Sequence, residues 1–292
     1  MLVGIALLVS SPRPPREAPP PAPSPSPRAT LAGLQADPCG GTGRLLATLD
    51  RPTVGYSACA VPKGAIVLEE GYQNTFAGGP AAQTSTAYPQ GFERVGVARG
   101  WELDLIGPNA NRQRSSSTIT GGYSDMGLGF KYELPQEGRF TYAVDGLVTA
   151  ATGTGGFSNG GPTQTLNIDV SYAASPAFGI GTTLATAAST GFFEPGTFAT
   201  SGTLPAVRER YITFEPSLVV TLQWPHDYQL YAELVGQTKT APRAGGRLYT
   251  DFGLQKLLGP YLEIDGEYGI DFTPSNGSRF NYIGVGAGIR VK

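Results

Sequence analysis

Three kinds of side chain in this sequence could carry chemistry: a single histidine, two cysteines and a long series of carboxylates. His226 stands in Trp224-Pro225-His226-Asp227, a turn signal between two apolar runs. A hydrolytic Ser-His or Asp-His pair needs its imidazole within hydrogen-bond reach of the reacting group. A short turn at one end of two strands offers no such neighbour, so His226 reads as a solvated turn residue. One histidine and two cysteines cannot complete a four-ligand metal site. Gly153, Gly155 and Gly156 in ATGTGGFSNGG lack the Lys-Ser/Thr pair and following helix of a phosphate-cradling loop. They read as an external loop. No catalytic residue, metal or cofactor is expected, and the chain does not read as an enzyme.

The carboxylates are more informative. Paired acids serve glycosidases as general acid and base, but here they recur at every second position along extended segments. Glu102, Asp104, Asp125, Glu133, Asp145, Asp169, Glu215, Glu233, Asp251, Glu263, Asp265 and Glu267 fall on one face of their strands, with Arg94, Lys131 and Arg290 as the main bases. That distribution predicts the lining of a lumen, where acids either support a hydrogen-bond network or select permeating ions. Glu263, Asp265 and Glu267 point the same way along one strand, and rings of acids favour cations. Cys39 and Cys59 are an isolated pair, which an exported protein can oxidise into one bridge. Closing a loop of that length stabilises by about 3 kcal/mol in the entropy model. Two free thiols are the alternative.

The elements that must position these residues follow from periodicity. From Ala65 onward the pattern has a period of two. Strands are expected at roughly 65–75, 91–98, 100–106, 124–134, 139–151, 164–174, 177–187, 210–224, 228–238, 247–257, 260–271 and 280–291. Short and long connections alternate between them. In SDMGLGFKYEL, for example, Met126, Leu128, Phe130 and Tyr132 oppose Asp125, Gly127, Gly129, Lys131 and Glu133. A soluble sandwich would alternate too. Many of these strands, however, reach the 9 to 11 residues or so that a tilted membrane strand needs. Aromatics also recur near strand ends, at Tyr132, Phe140, Tyr172, Phe178, Trp224, Tyr228 and Phe280, as interfacial girdles do. The expected fold is all-β: a transmembrane antiparallel up-and-down barrel of about 12 strands over residues 65–292, with a Pro-rich N-terminal extension.

Ahead of the barrel, residues 1–10 carry a short apolar stretch that reads as part of a signal peptide, and residues 11–30 a Pro-rich linker. Residues 31–64 form a pre-barrel segment, weakly helical over Leu31–Leu49, that holds the two cysteines. A net charge of −2 without basic clusters excludes a nucleic-acid partner.

At SDMGLGFKYEL, an acidic residue followed by alternating glycines and then Lys131-Tyr132, the sequence resembles the outer-membrane transporter family labelled "MetA pathway of phenol degradation". The resemblance in style spans roughly residues 65–292. It implies an outer-membrane channel for passive uptake of small, aromatic or hydrophobic solutes. The chain ends Arg290-Val291-Lys292 instead of on the aromatic residue usual in such barrels. Expected partners are outer-membrane lipid and lipopolysaccharide, a small-molecule solute and the barrel-assembly machinery. A non-transport barrel with a structural, adhesion or assembly role is the alternative, and a soluble secreted binding protein a third.

Overall fold

The computed structural model describes residue 39 and residues 45–79, 82–193, 207–273 and 279–291. The signal and linker expectations for 1–10 and 11–30 lie outside these residues. After one helical turn, α1 (Leu45–Thr48), the chain is built from strands. They are β1 (Ile66–Ala77), β2 (Gln83–Tyr88), β3 (Phe92–Ala98), β4 (Trp101–Ile106), β5 (Ala110–Ser115), β6 (Ile119–Tyr123), β7 (Met126–Glu133) and β8 (Phe140–Ala150). There follow β9 (Thr163–Ala173), β10 (Phe178–Phe193), β11 (Val207–Trp224), β12 (Tyr228–Gln237), β13 (Arg247–Leu257), β14 (Leu262–Asp271) and β15 (Phe280–Arg290). The expected helicity of 31–49 is confined, among the described residues, to α1.

Twelve of these strands form a closed antiparallel ring in chain order, from β1 through β3, β4 and β7 to β15, and β15 pairs back onto β1 from Val67↔Arg290 to Ala77↔Phe280. Closure leaves no free edge in this ring, which lets its ladder groups find their partners inside a bilayer. The connections β3–β4, β7–β8, β9–β10, β11–β12 and β13–β14 are short and lie at the end where β1 begins and β15 finishes. Gly100 (φ +72°) and Gly259 (φ +82°) take left-handed turn positions there, and His226 (φ +65°) and Asp227 (φ +63°) do so without being glycine.

The wall is inverted relative to a soluble protein. Arg94, Lys131, Glu69, Glu102, Glu233 and Glu263 are among the largest fully buried side chains, whereas Leu128 is 67% exposed and Ile212 63%. Strand β4 shows the alternation residue by residue: Glu102 and Asp104 are buried, Trp101, Leu103 and Leu105 exposed. A sandwich would place the apolar face in a core, so this polarity identifies a barrel with lipid outside. At the short-turn end Trp101 stacks on Tyr132 at 4.4 Å and Phe140 on Tyr172 at 4.5 Å, and Trp224 stands exposed nearby, forming an interfacial girdle. Phe280 does not belong to it. It shares a face with buried Tyr282 and packs edge-on against Tyr249 inside the opposite end.

The segments 76–90 and 107–123, expected to be irregular external loops, contain β2, β5 and β6. These continue barrel strands across a break. From Phe92↔Ile106 in β3–β4 to Tyr88↔Ala110 in β2–β5 both chains advance four residues, so the register carries through. The same holds from Ile106↔Gly127 to Ala110↔Tyr123. Pro89 and Pro108, which cannot donate to a ladder, sit in the interruptions. The outer ends of three adjacent strands thus form an extension hydrogen-bonded to the upper half of β1. The 188–209 connection is likewise shorter than expected, because β10 runs to Phe193 and β11 starts at Val207.

Replacing Leu128 with Arg should destabilise the barrel by about 2 to 4 kcal/mol if this face meets the hydrocarbon midplane. Urea unfolding of protein refolded into lipid vesicles measures it.

Candidate functional site in the barrel lumen

Residues 45–64 lie inside the barrel. The segment rises from the short-turn mouth at α1, reaches a tip at Val54-Gly55 and descends to β1. Its base is a small apolar cluster of Leu45, Leu49, Val61, Ala65 and Val67. Above that base it has no regular structure, so its backbone groups must be satisfied by the wall.

The inward carboxylates and hydroxyls do this. Glu69 Oε2 accepts from the amides of Asp50 (3.0 Å) and Arg51 (2.7 Å). Glu233 takes Val54 and Gly55, one on each oxygen, both at 2.7 Å. Thr183 Oγ1 accepts from Tyr56 N (2.8 Å), Glu133 from Ala60 N (2.8 Å) and Glu102 from Val61 N. In the other direction Lys131 Nζ donates to Ser57 O (2.9 Å), Gln255 Nε2 to Arg51 O (3.2 Å) and Arg94 to Thr48 O. Hydrogen bonds to ionised acceptors are the stronger kind. An acid-rich lumen therefore suits a peptide that presents N–H groups.

At the centre of this contact Asp50 joins the peptide to both wall bases. Its carboxylate lies 2.9 Å from Lys131 and 3.3 Å from Arg94. Arg94 also pairs with Glu69 (2.9 Å) and Glu102 (2.7 Å), and all five groups are buried. On the opposite wall Arg51 reaches Asp265 at 3.4 Å. The Tyr56 ring lies 6.0 Å from that of Phe92, with Lys131 Nζ 5.4 Å from its centre.

Room for the peptide comes from glycine. A Cβ at Gly71 or Gly286 would collide with the Arg51 guanidinium, one at Gly96 with the Val61 and Pro62 carbonyls, and one at Gly288 with Leu49. These are inward positions where a side chain would occupy the space the segment fills. Cys39 and Cys59 form a disulfide, and Cys59 is buried.

Glu102, Lys131, Glu133 and Glu233 bind the inner segment directly. Asp169 accepts from Thr183 Oγ1 at 2.7 Å, and Asp145 from Asn167. Glu263 accepts from Gly288 N (3.1 Å), Asp251 from the Tyr282 hydroxyl, and Glu215 from Gln237 (2.8 Å). Asp104 lies 4.0 Å from Arg94, and Glu267 is buried against Gly284. Asp125 works elsewhere: it accepts from Gly153 N and Asn159 N and pins the external β8–β9 loop. Arg290 sits at the end of β15 over the Tyr261 ring. Sequence reading missed Asp50, Arg51, Glu69 and Thr183 as partners in one assembly. His226 is an exposed turn residue whose carbonyl accepts from Lys256.

Beyond the tip of the segment is a cavity of about 230 Å³, lined by Val54, Gln73, Thr75, Gln237, Arg247, Tyr249, Phe280 and Tyr282. It lies at the long-loop end of the lumen.

Arg94→Met should leave Asp50, Glu69 and Glu102 without their shared cation. A loss of about 3 to 5 kcal/mol is expected for breaking such a buried pair. Amide exchange of residues 50–61 should accelerate while the outer ladder stays protected, which hydrogen-exchange mass spectrometry resolves.

No protein-family model matches the sequence, and no curated protein matches it. Solved structures do resemble it in fold. The NanC porin is 13% identical with a TM-score of 0.50, covering 75% of this chain and 98% of the porin. An outer-membrane channel from Pseudomonas putida F1 is 12% identical with a TM-score of 0.57, covering 79% of this chain and 97% of the channel. At these identities the likeness is one of fold. Together with the inverted, closed wall it places the chain in the outer membrane.

Proposed function

We propose that this barrel is an outer-membrane channel for passive passage of small solutes, and that residues 45–64 hold it closed. The observation that carries the reading is the lumen itself. Eight strands are about the number whose side chains just fill a barrel. Twelve leave space, and here that space holds a peptide bound through polar contacts, with the cavity beyond it. Polar contacts with ionised groups can be exchanged for water at lower cost than a packed apolar core, so displacement of the segment would leave a hydrated, charge-lined path.

The solutes we propose are small, and aromatic or hydrophobic compounds fit the resemblance noted in the sequence. The cavity supports that size class, with Tyr249, Phe280 and Tyr282 offering ring faces and Gln73 and Gln237 offering amides. We also propose that an opened lumen prefers cations. The wall from β12 to β15 carries Glu233, Asp251, Glu263, Asp265, Glu267 and Asp271 against Arg247, Arg290 at the short-turn mouth and, from the inner segment, Arg51. A second reading is a permanently filled barrel with a structural or assembly role, which the number of ionic contacts to the segment favours.

Planar-bilayer recordings separate the two. Protein lacking residues 1–62 should conduct several-fold more than the intact chain, and replacing Glu263, Asp265 and Glu267 with Gln in that background should reduce cation preference. The reversal potential in a salt gradient reads the change, most clearly at low ionic strength, where screening is weak. Truncated barrels that stay heat-modifiable yet carry no current would support the structural reading instead.

A further inference from the structure

Charge is scarce on the outward face of this wall. Two carboxylates, Glu70 on β1 and Glu93 on β3, lie on the barrel side of the strand breaks. On the far side, β5 carries Arg112 and Arg114, and the ladder fixes where they point. Val67 and Glu69 face inward on β1, so Asn74 and Phe76 face outward. Phe76 is opposite Thr84, Thr84 opposite Arg114, and Arg114 opposite Ile119. Asn74, Thr86, Arg112 and Gly121 form the parallel row. Directly opposed residues share a face, so both arginines project outward, roughly 7 Å apart along the strand.

Their surroundings are specific. Phe76, Tyr88, Ile119 and Tyr123 on the same face are all exposed, and β2, β5 and β6 contain no Asp or Glu. Two other outward arginines at the long-loop end, Arg208 and Arg210, are committed to the protein. Arg208 donates to Gly160 O and Arg210 to Gln164 Oε1. Arg112 and Arg114 have no hydrogen-bond or ion-pair partner among the described residues. Two unpaired guanidinium forks, aromatic rings around them and an apolar belt on the other side of the break are the chemistry of a phosphorylated lipid head group. Guanidinium matches phosphate oxygens bidentately, and aromatic rings settle at head-group depth.

We infer that Arg112 and Arg114 bind phosphate groups of lipopolysaccharide in the outer leaflet, through the outward face of the β2–β5–β6 extension. The binding fixes the extension against the membrane surface and is independent of whether the lumen conducts.

The test uses the full-length protein in detergent, titrated with lipid A and with dephosphorylated lipid A, and native mass spectrometry counts bound lipid. Wild type should bind the phosphorylated form at least about tenfold more tightly, the scale of one or two charge-assisted contacts. R112Q/R114Q should lose that preference while R210Q keeps it. Retained heat-modifiable migration shows that the variants fold. Should the double variant not fold, the wild-type preference for phosphorylated over dephosphorylated lipid decides alone, with R112K/R114K expected to retain part of it. Equal binding of the two lipids by wild type, or an unchanged preference in a folded R112Q/R114Q, overturns the proposal. Full displacement of lipid A by equimolar inorganic phosphate also overturns it, since that would mark a free-anion pocket.

Discussion

A peptide without regular structure can be buried only if its N–H and C=O groups are answered from outside itself, and much of this barrel's interior follows from that constraint. Glu69, Glu102 and Glu233 would be expensive as isolated buried charges, and half-buried Glu133 less so. They become acceptors once residues 50–61 supply amides to them. Arg94 and Lys131 then balance the remaining charge around Asp50. Wall and inner segment are thus mutually dependent: neither set of polar groups is satisfied without the other.

Strand number, glycine placement and acid placement are therefore one arrangement. A ring of twelve strands leaves a space that wall side chains alone do not fill, and glycines at 71, 96, 286 and 288 widen it where the segment passes closest. The outer surface solves a separate problem with the alternate residues of the same strands, so Leu103 and Leu105 meet lipid while Glu102 and Asp104 meet the interior.

This division explains what could be read from the sequence. A period of two survives any tertiary context that keeps one face in lipid, so the inward and outward sets along β4, β7, β9, β14 and β15 are legible from residue type. The extension was not, because ANRQRS and QTSTAY have no apolar face to alternate against a polar one. Nor was the inner segment. Its conformation is dictated by acceptors contributed from strands far away in sequence, and no local propensity encodes that. The trace it leaves is the run of inward glycines at 284, 286 and 288, a face too small to fill a lumen on its own. Aromatic residues were ambiguous for a related reason: Trp224 and Phe280 both sit at strand ends, and only the parity of neighbours separates girdle from lumen.

The covalent bridge between Cys39 and Cys59 has a mechanical meaning. The inner segment leaves and re-enters the same mouth, and the bridge joins its two limbs near that mouth. Tension applied to the chain ahead of Cys39 passes through sulfur to Cys59 and on to the nearby start of β1, bypassing residues 45–58 altogether. The tip at Val54 and the Asp50 contacts are then slack under an external pull. While the bridge is intact, the loop yields to forces acting on it from within the lumen and is shielded from those transmitted along the backbone.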